Sequence, residues 1–269
     1  MKDLLRRLLV GGFSLVARSR FWRTSIGEAL FIEAFFVYKR SVEDPFAGMA
    51  RRHPQLFQGG DIIDVGANVG YTATVFARAL SDGCFVLAIE PEPENVERMR
   101  RTLVRKKVAD RVVIIQAAAG AEASTGILDR NAHHPGDHAL ARPGSTPKDP
   151  IEVNVISIDE LVSSRMDRKI AFVKIDVQGW ELAVSRGMEQ LLASPDIAVA
   201  IEYSPASADA LGLSASDLLQ FYRTRGFRIR ALAHDGRLVE FESDEARKIL
   251  ATRGYLDLLC SRKAPPSQA

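Results

Sequence analysis

Three stretches of this sequence combine residue types and spacings that could do chemistry. The first is Asp64-Val65-Gly66-Ala67-Asn68-Val69-Gly70, which closes an apolar run beginning at Asp61. A strand that turns through glycines into a helix aims backbone N–H groups at an anionic or polar ligand. A dinucleotide site would read Gly-x-Gly-x-x-Gly. With Gly66 set on the middle glycine, Asp64 takes the first position and Val69 the third, and neither fits. A carboxylate beside the loop repels pyrophosphate and suits a ligand carrying an amine and a sulfonium, which is S-adenosylmethionine. The second stretch is Ile89-Glu90-Pro91, with Glu90 lying 20 residues past Gly70. An acidic side chain at the carboxyl end of the next strand accepts hydrogen bonds from ribose hydroxyls. Gln116, at the end of the third predicted strand, is placed to meet the adenine edge. The expected cofactor set is Asp64, Gly66, Asn68, Gly70, Tyr71, Glu90 and Gln116.

The third stretch is Lys174-Ile175-Asp176-Val177-Gln178-Gly179-Trp180-Glu181. Side chains alternate along a strand, so Lys174 and Asp176 point to one side. They form either a structural ion pair or a catalytic pair. Transfer of a methyl group from sulfonium to a nucleophile is an in-line displacement, so alignment supplies most of the acceleration. An alcohol acceptor must also lose its proton, for which a general base is typically worth roughly 10²–10⁴-fold. Asp176, Glu202 and His138 are the candidate bases, with Lys174 beside them. His133, His134, Asp137 and His138 cluster, but Pro135-Gly136 breaks any helix that would align them, and no metal site is expected. Trp180 reads first as packing and second as a sugar platform.

These residues require strands whose carboxyl ends meet. Apolar runs at Asp61–Val65, Cys84–Ile89, Val112–Ala117, Ile170–Ile175 and Ile197–Ile201 alternate with helical segments, which predicts a mostly parallel sheet covered on both faces. Phe227–Ala233, Arg237–Phe241 and Tyr255–Ser261 read as closing strands, with a hairpin turn at Asp235-Gly236. A helix is expected from about Trp180 to Leu192, and another over Leu218–Arg225 capped by Ser214 and Asp217. The expected organisation is a helical extension over 1–58, a catalytic domain over 59–263 with an irregular insert at 121–167, and a disordered tail at 264–269. With 46% apolar and 26% charged residues the composition is that of an ordinary globular protein. A net charge of +2 is too small to argue for nucleic acid. Residues 1–60 are the basic part, with ten Lys or Arg against five Asp or Glu. Leu4, Leu5, Leu8 and Leu9 recur at helical spacing opposite Arg6 and Arg7, which fits a lid, a peripheral membrane helix or a partner-binding segment. Two cysteines, Cys84 and Cys260, read as reduced buried thiols in a cytoplasmic protein.

Together, the Asp64–Tyr71 loop, Ile89-Glu90-Pro91 and the Lys174–Glu181 run resemble the FkbM family of methyltransferases. Pro135-Gly136-Asp137-His138 is similar to that family's loop before the fourth strand. The likeness covers about residues 59–203. It implies a class I methyltransferase fold, that is, a Rossmann-like, doubly wound α/β architecture with a mostly parallel seven-stranded sheet. It implies O-methylation of a sugar or secondary metabolite, with Asp64, Gly66, Asn68 and Glu90 at S-adenosylmethionine and Asp176 near the acceptor. A lipid, another small molecule or a protein is an alternative acceptor. A nicotinamide-dependent oxidoreductase and a non-catalytic membrane-associated module are the readings from other classes.

Overall fold

The structure is a computed structural model. It describes residues 25–39, 44–131, 138–142, 144–165 and 168–263. The basic run at 4–9, His133, His134, Asp137 and the tail at 264–269 lie outside the described residues.

Among the described residues the main sheet has eight strands. Five are parallel: β1 (Asp61–Val65), β2 (Val86–Ile89), β3 (Val112–Ile115), β8 (Ile170–Ile175) and β9 (Ala198–Tyr203). Three more close it antiparallel: β10 (Arg228–Leu232), β11 (Leu238–Glu240) and β12 (Leu256–Ser261). The order is β11-β10-β12-β9-β8-β1-β2-β3. The family likeness implies seven strands; the eighth is β11, the strand read at Arg237–Phe241, which the Asp235-Gly236 turn folds back onto β10 as an edge strand.

Alternation along the strands sorts the core into two layers. Ile63, Leu87, Val173 and Val199 pack with Val184, Met188 and Tyr222 on one side. Ile62, Phe172, Ala200 and Leu259 pack with Phe57, Phe76 and Met99 on the other. The layers are covered by α3 (Tyr71–Ala79), α4 (Pro93–Arg105), α6 (Glu181–Arg186), α7 (Glu189–Leu192) and α9 (Ala215–Thr224), with α1 (Ser25–Tyr38), α2 (Phe46–Arg52), α5 (Ile158–Ser163), α8 (Pro205–Ala210) and α10 (Asp244–Arg253) around them. The helix expected over 180–192 is two short ones. The break falls where a side chain at Gly187 would lie 2.0 Å from the Gly120 carbonyl oxygen, so the backbone itself makes the contact. Ser214 stands at the N-cap of α9, but its hydroxyl bonds Ser216 (2.6 Å) and not the helix amides.

The segment expected to be irregular supplies three strands of a second, four-stranded sheet, in the order β4-β7-β5-β6. These are β4 (Ala118–Ala119), β5 (Ser124–Asp129), β6 (Ala139–Leu140) and β7 (Pro150–Ile156). Ala118, Leu128, Val153 and Val155 form its small core. Since β4 follows β3 almost directly, this sheet stands over the carboxyl ends of the parallel strands. On the opposite flank, Phe35 and Phe36 of α1 set their rings edge-on to Tyr71, and Glu33 pairs with Lys106 (2.7 Å). No helix among the described residues is long and apolar enough to cross a membrane.

Candidate active site

A row of charged residues crosses the carboxyl end of the main sheet. Asp64 on β1 is in register with Lys174 on β8, and Glu202 on β9 is in register with Asp257 on β12. Lys174 Nζ lies 3.5 Å from Asp64 Oδ1 and 3.3 Å from Asp176 Oδ2, and donates to the Gly66 carbonyl at 3.2 Å. Burial works against the Lys174 charge, but Asp176, Asp64 and Glu202 outweigh it and raise its pKa. Burial likewise lifts the Asp64 carboxyl, against the pull of Lys174 and of the Thr72 hydroxyl, which donates to Asp64 Oδ2 at 2.6 Å. Lys174 is thus a fixed ammonium knitting three strand-end groups together.

The loop after β1 is held by its neighbours. The amides of Gly66 and Ala67 both donate to the Ile89 carbonyl, and the Asn68 amide donates to Glu90 Oε2 at 2.9 Å. These amides serve the fold, so the loop presents a wall to a ligand more than a ring of free donors. Gly66 has φ +75°, and a Cβ there would lie 1.9 Å from the Asp176 carbonyl oxygen. Glu90 also accepts from the Glu92 amide (3.1 Å) and Asn95 Nδ2 (3.5 Å). Burial nonetheless pushes its pKa up to about 7.

Loop, row and small sheet enclose a cavity of about 660 Å³, within the usual range for ligand sites. At one end it is lined by Gly66, Asn68, Thr72, Glu90, Pro91 and Ala117. At the other it is lined by His138, Asp176, Trp180, Glu202, Arg253 and Asp257, and Phe35, Tyr38 and Lys39 of α1 form part of its rim. The Trp180 indole donates to the Leu140 carbonyl (2.8 Å), tying the start of α6 to β6. The Tyr71 hydroxyl donates to Asp44 Oδ2 (2.9 Å), and Asp44 also accepts the Phe46 and Ala47 amides at the start of α2.

The family description "Methyltransferase FkbM domain" matches residues 64–229, more than half of the chain. The chain belongs to the FkbM methyltransferase family. That description is of a methyltransferase domain. The chain is 30% identical over 141 residues to the hexuronic acid methyltransferase AglP of Haloferax volcanii, covering 51% of this chain and 53% of AglP. It is 29% identical over 185 residues to the 31-O-demethyl-FK506 methyltransferase FkbM of Streptomyces tacrolimicus, covering 58% and 69%. The crystal structure of methyltransferase FkbM from Methylobacillus flagellatus superposes with a TM-score of 0.51 at 17% identity, over 96% of this chain and 60% of that one. The chain thus spans about half the length of AglP and little more of that structure.

Against this FkbM frame, the structure brings together most of the residues singled out from sequence. Gly66, Asn68, Tyr71, Glu90, His138, Lys174, Asp176 and Glu202 all line the one cavity. Asp64 lies sealed beneath it, anchoring Thr72 and Lys174. Gly70 also sits behind the wall, where a side chain would meet Met99 at 2.8 Å. Gln116 is exposed and does not line the cavity: β3 ends at Ile115, and Ala117 is the residue that turns inward. Asp44, Lys39, Arg253 and Asp257 escaped the sequence reading. Their one sequence signal was a carboxylate inside the last closing strand, Leu256-Asp257-Leu258, where an apolar residue would be expected.

Proposed function

We propose that this protein transfers a methyl group from S-adenosylmethionine to a hydroxyl group, most consistently a sugar hydroxyl of a glycan, glycolipid or glycosylated metabolite. The observation that carries this reading is the single cavity joining the Gly66–Glu90 end to the Asp176–Glu202 end. The first end fits the cofactor. Glu90 offers carboxylate oxygens to a ribose diol, Val65, Ile89, Pro91 and Ala117 give an apolar bed for a base, and Asn68 and Thr72 supply polar contacts. When bound there, the cofactor supplies an electrophilic methyl carbon. The chain's own residues position the acceptor, and Lys174 holds the Asp176 carboxyl in place.

The names of the relatives support an oxygen acceptor, since one is a hexuronic acid methyltransferase and the other a 31-O-demethyl-FK506 methyltransferase. Trp180 offers a ring to a sugar at the acceptor end, and Asp176 and Glu202 offer acceptors to its hydroxyls. Leu30 and Val37, exposed on α1, give this flank an apolar face for peripheral membrane contact. Two free thiols, Cys84 and Cys260, fit a reducing, cytoplasmic compartment.

Calorimetry with S-adenosylhomocysteine tests the reading first. Absence of binding at millimolar ligand, or tighter binding of NADH, would sink it. Incubation with methyl-labelled cofactor and fractionated cell extract then finds the acceptor, with label expected in a carbohydrate-bearing fraction.

A further inference from the structure

Several groups at the acceptor end have the right chemistry to take a hydroxyl proton, and their surroundings separate them. His138 Nδ1 accepts the Asn131 amide at 2.9 Å, so a neutral ring carries its proton on Nε2. With Nδ1 accepting and Nε2 protonated, the neutral ring keeps no free lone pair to serve as a base. Asp176 is paired with Lys174 and accepts from Gln178 Nε2 at 3.2 Å. Both of its carboxylate oxygens therefore already have partners on the chain. Glu202 and Asp257 differ from both. They are register partners across β9 and β12, which stands their side chains next to each other on one face of the sheet. Both line the cavity, and neither has a hydrogen bond or ion pair among the described residues.

We propose that Glu202 and Asp257 act together as the carboxyl pair that takes the acceptor's hydroxyl proton during methyl transfer. The inference rests on the methyltransferase reading above. The pair starts singly protonated, with one negative charge between the two carboxyls. As the acceptor oxygen bonds to the methyl carbon, the carbon–sulfur bond breaks and its electrons stay on sulfur. The O–H electrons stay on oxygen, and the proton passes to the pair, which becomes neutral as the sulfonium charge disappears.

The electrostatic setting agrees with this geometry. Burial, followed by the charges of Asp176, Asp257 and Glu181, holds the Glu202 carboxyl well above its ordinary range, with Lys174 opposing. Burial pushes Asp257 up to about 7, with Asp176 and Asp44 adding to it and Arg253 and Lys39 opposing. Two carboxyls in one site titrate as a pair, and a base with pKa near the working pH is the most effective one.

Two readouts on the full chain decide the matter. The first is carboxyl ¹³C NMR titration of the protein saturated with S-adenosylhomocysteine. Glu202 and Asp257 should titrate as a coupled pair with one step near neutrality, and Asp257→Asn should return the Glu202 step toward the acid range. Independent titration of both below about pH 5 overturns the proposal. The second is single-turnover transfer of labelled methyl to the extract fraction that accepts it. Glu202→Gln and Asp257→Asn should each slow transfer by roughly 10²-fold or more and abolish its neutral pH inflection. Affinity for S-adenosylhomocysteine should stay within about threefold in the same variants, and Asp257→Glu should recover much of the rate. Unchanged rates in both neutral variants overturn the pair, whatever the titration shows. Where no fraction takes label, the titration decides alone. Failure of the wild-type chain to bind S-adenosylhomocysteine is a separate outcome, and it removes the methyltransferase reading itself.

Discussion

At the scale of single residues, Gly66 is where one added methyl group does most harm. Its φ of +75° and the 1.9 Å approach to the Asp176 carbonyl leave no room for a side chain. Gly66→Ala should lower stability by about 1–3 kcal/mol, measured by denaturant unfolding, and should abolish S-adenosylhomocysteine binding. Wild-type binding in that variant would show that the loop moves more freely than its contacts indicate. Glu90 yields a prediction in pH. Its pKa in the folded chain is about 7, raised from an ordinary 4.5 by burial. The folded state therefore binds the proton more tightly than the unfolded one, and this group's contribution to stability falls as pH rises from about 4.5 to about 7. A ligand whose hydroxyls donate to Glu90 favours the carboxylate, so its binding expels a proton. Affinity for S-adenosylhomocysteine should rise with pH up to about 7 and then level off. Calorimetry at pH 6 in buffers of different ionisation heat should detect proton release, and Glu90→Gln should abolish it. An equal release in that variant would assign the proton to another group.

At the scale of elements, the small sheet and α6 are joined through the Trp180 indole and the Leu140 carbonyl. Trp180→Phe keeps a ring in place and removes the donor. It should cost about 1 kcal/mol and speed amide exchange in β6 and the facing end of β5, leaving β1 and β8 protected. Uniform loss of protection would mean that the tryptophan supports the main core instead. This joint also marks where the sequence stops being legible. The Asp64 loop, Glu90 and the Lys174–Asp176 pair can be read directly because each lies at the end of a local apolar run, and parallel strand ends converge by topology. The small sheet carries one local signal, the alternation Ile151-Glu152-Val153-Asn154-Val155 of β7, which the Pro/Gly/Ser-rich run before it masked, while β5 has none. β5 and β7 are largely exposed, and they pair with each other across a gap of some twenty residues and with β6 and β4 on their outer edges. Asp257 is a harder case, since it lies far downstream of Glu202 and becomes its neighbour only through antiparallel register. Gln116 went astray because apolar β propensity continues past the point where β3 ends, and alternation does not say where pairing stops. The mostly polar α10 buries only Ala246 among its residues, so its apolar periodicity is too weak to read.

At the scale of the whole molecule, the cavity belongs to no single element. The main sheet supplies its floor, the small sheet one wall through Ala118, Leu128 and His138, and α1 another through Phe35 and Tyr38. A ligand filling it should therefore bind three bodies together, not one loop. At one hundred times its Kd, S-adenosylhomocysteine should add about 2.7 kcal/mol of stability. For a chain of this size that corresponds to a rise in Tm of roughly 5–10 °C. The distribution of the effect is more telling than its size. Amide exchange should slow in the Gly66–Gly70 loop, in β4 and in α1, since all three border the cavity or its rim. The main core should change little, because it is already closed by its own packing. Protection confined to the loop would show that α1 and the small sheet stand clear of the bound cofactor. They would then border the acceptor alone, and only addition of the labelled acceptor fraction should protect them.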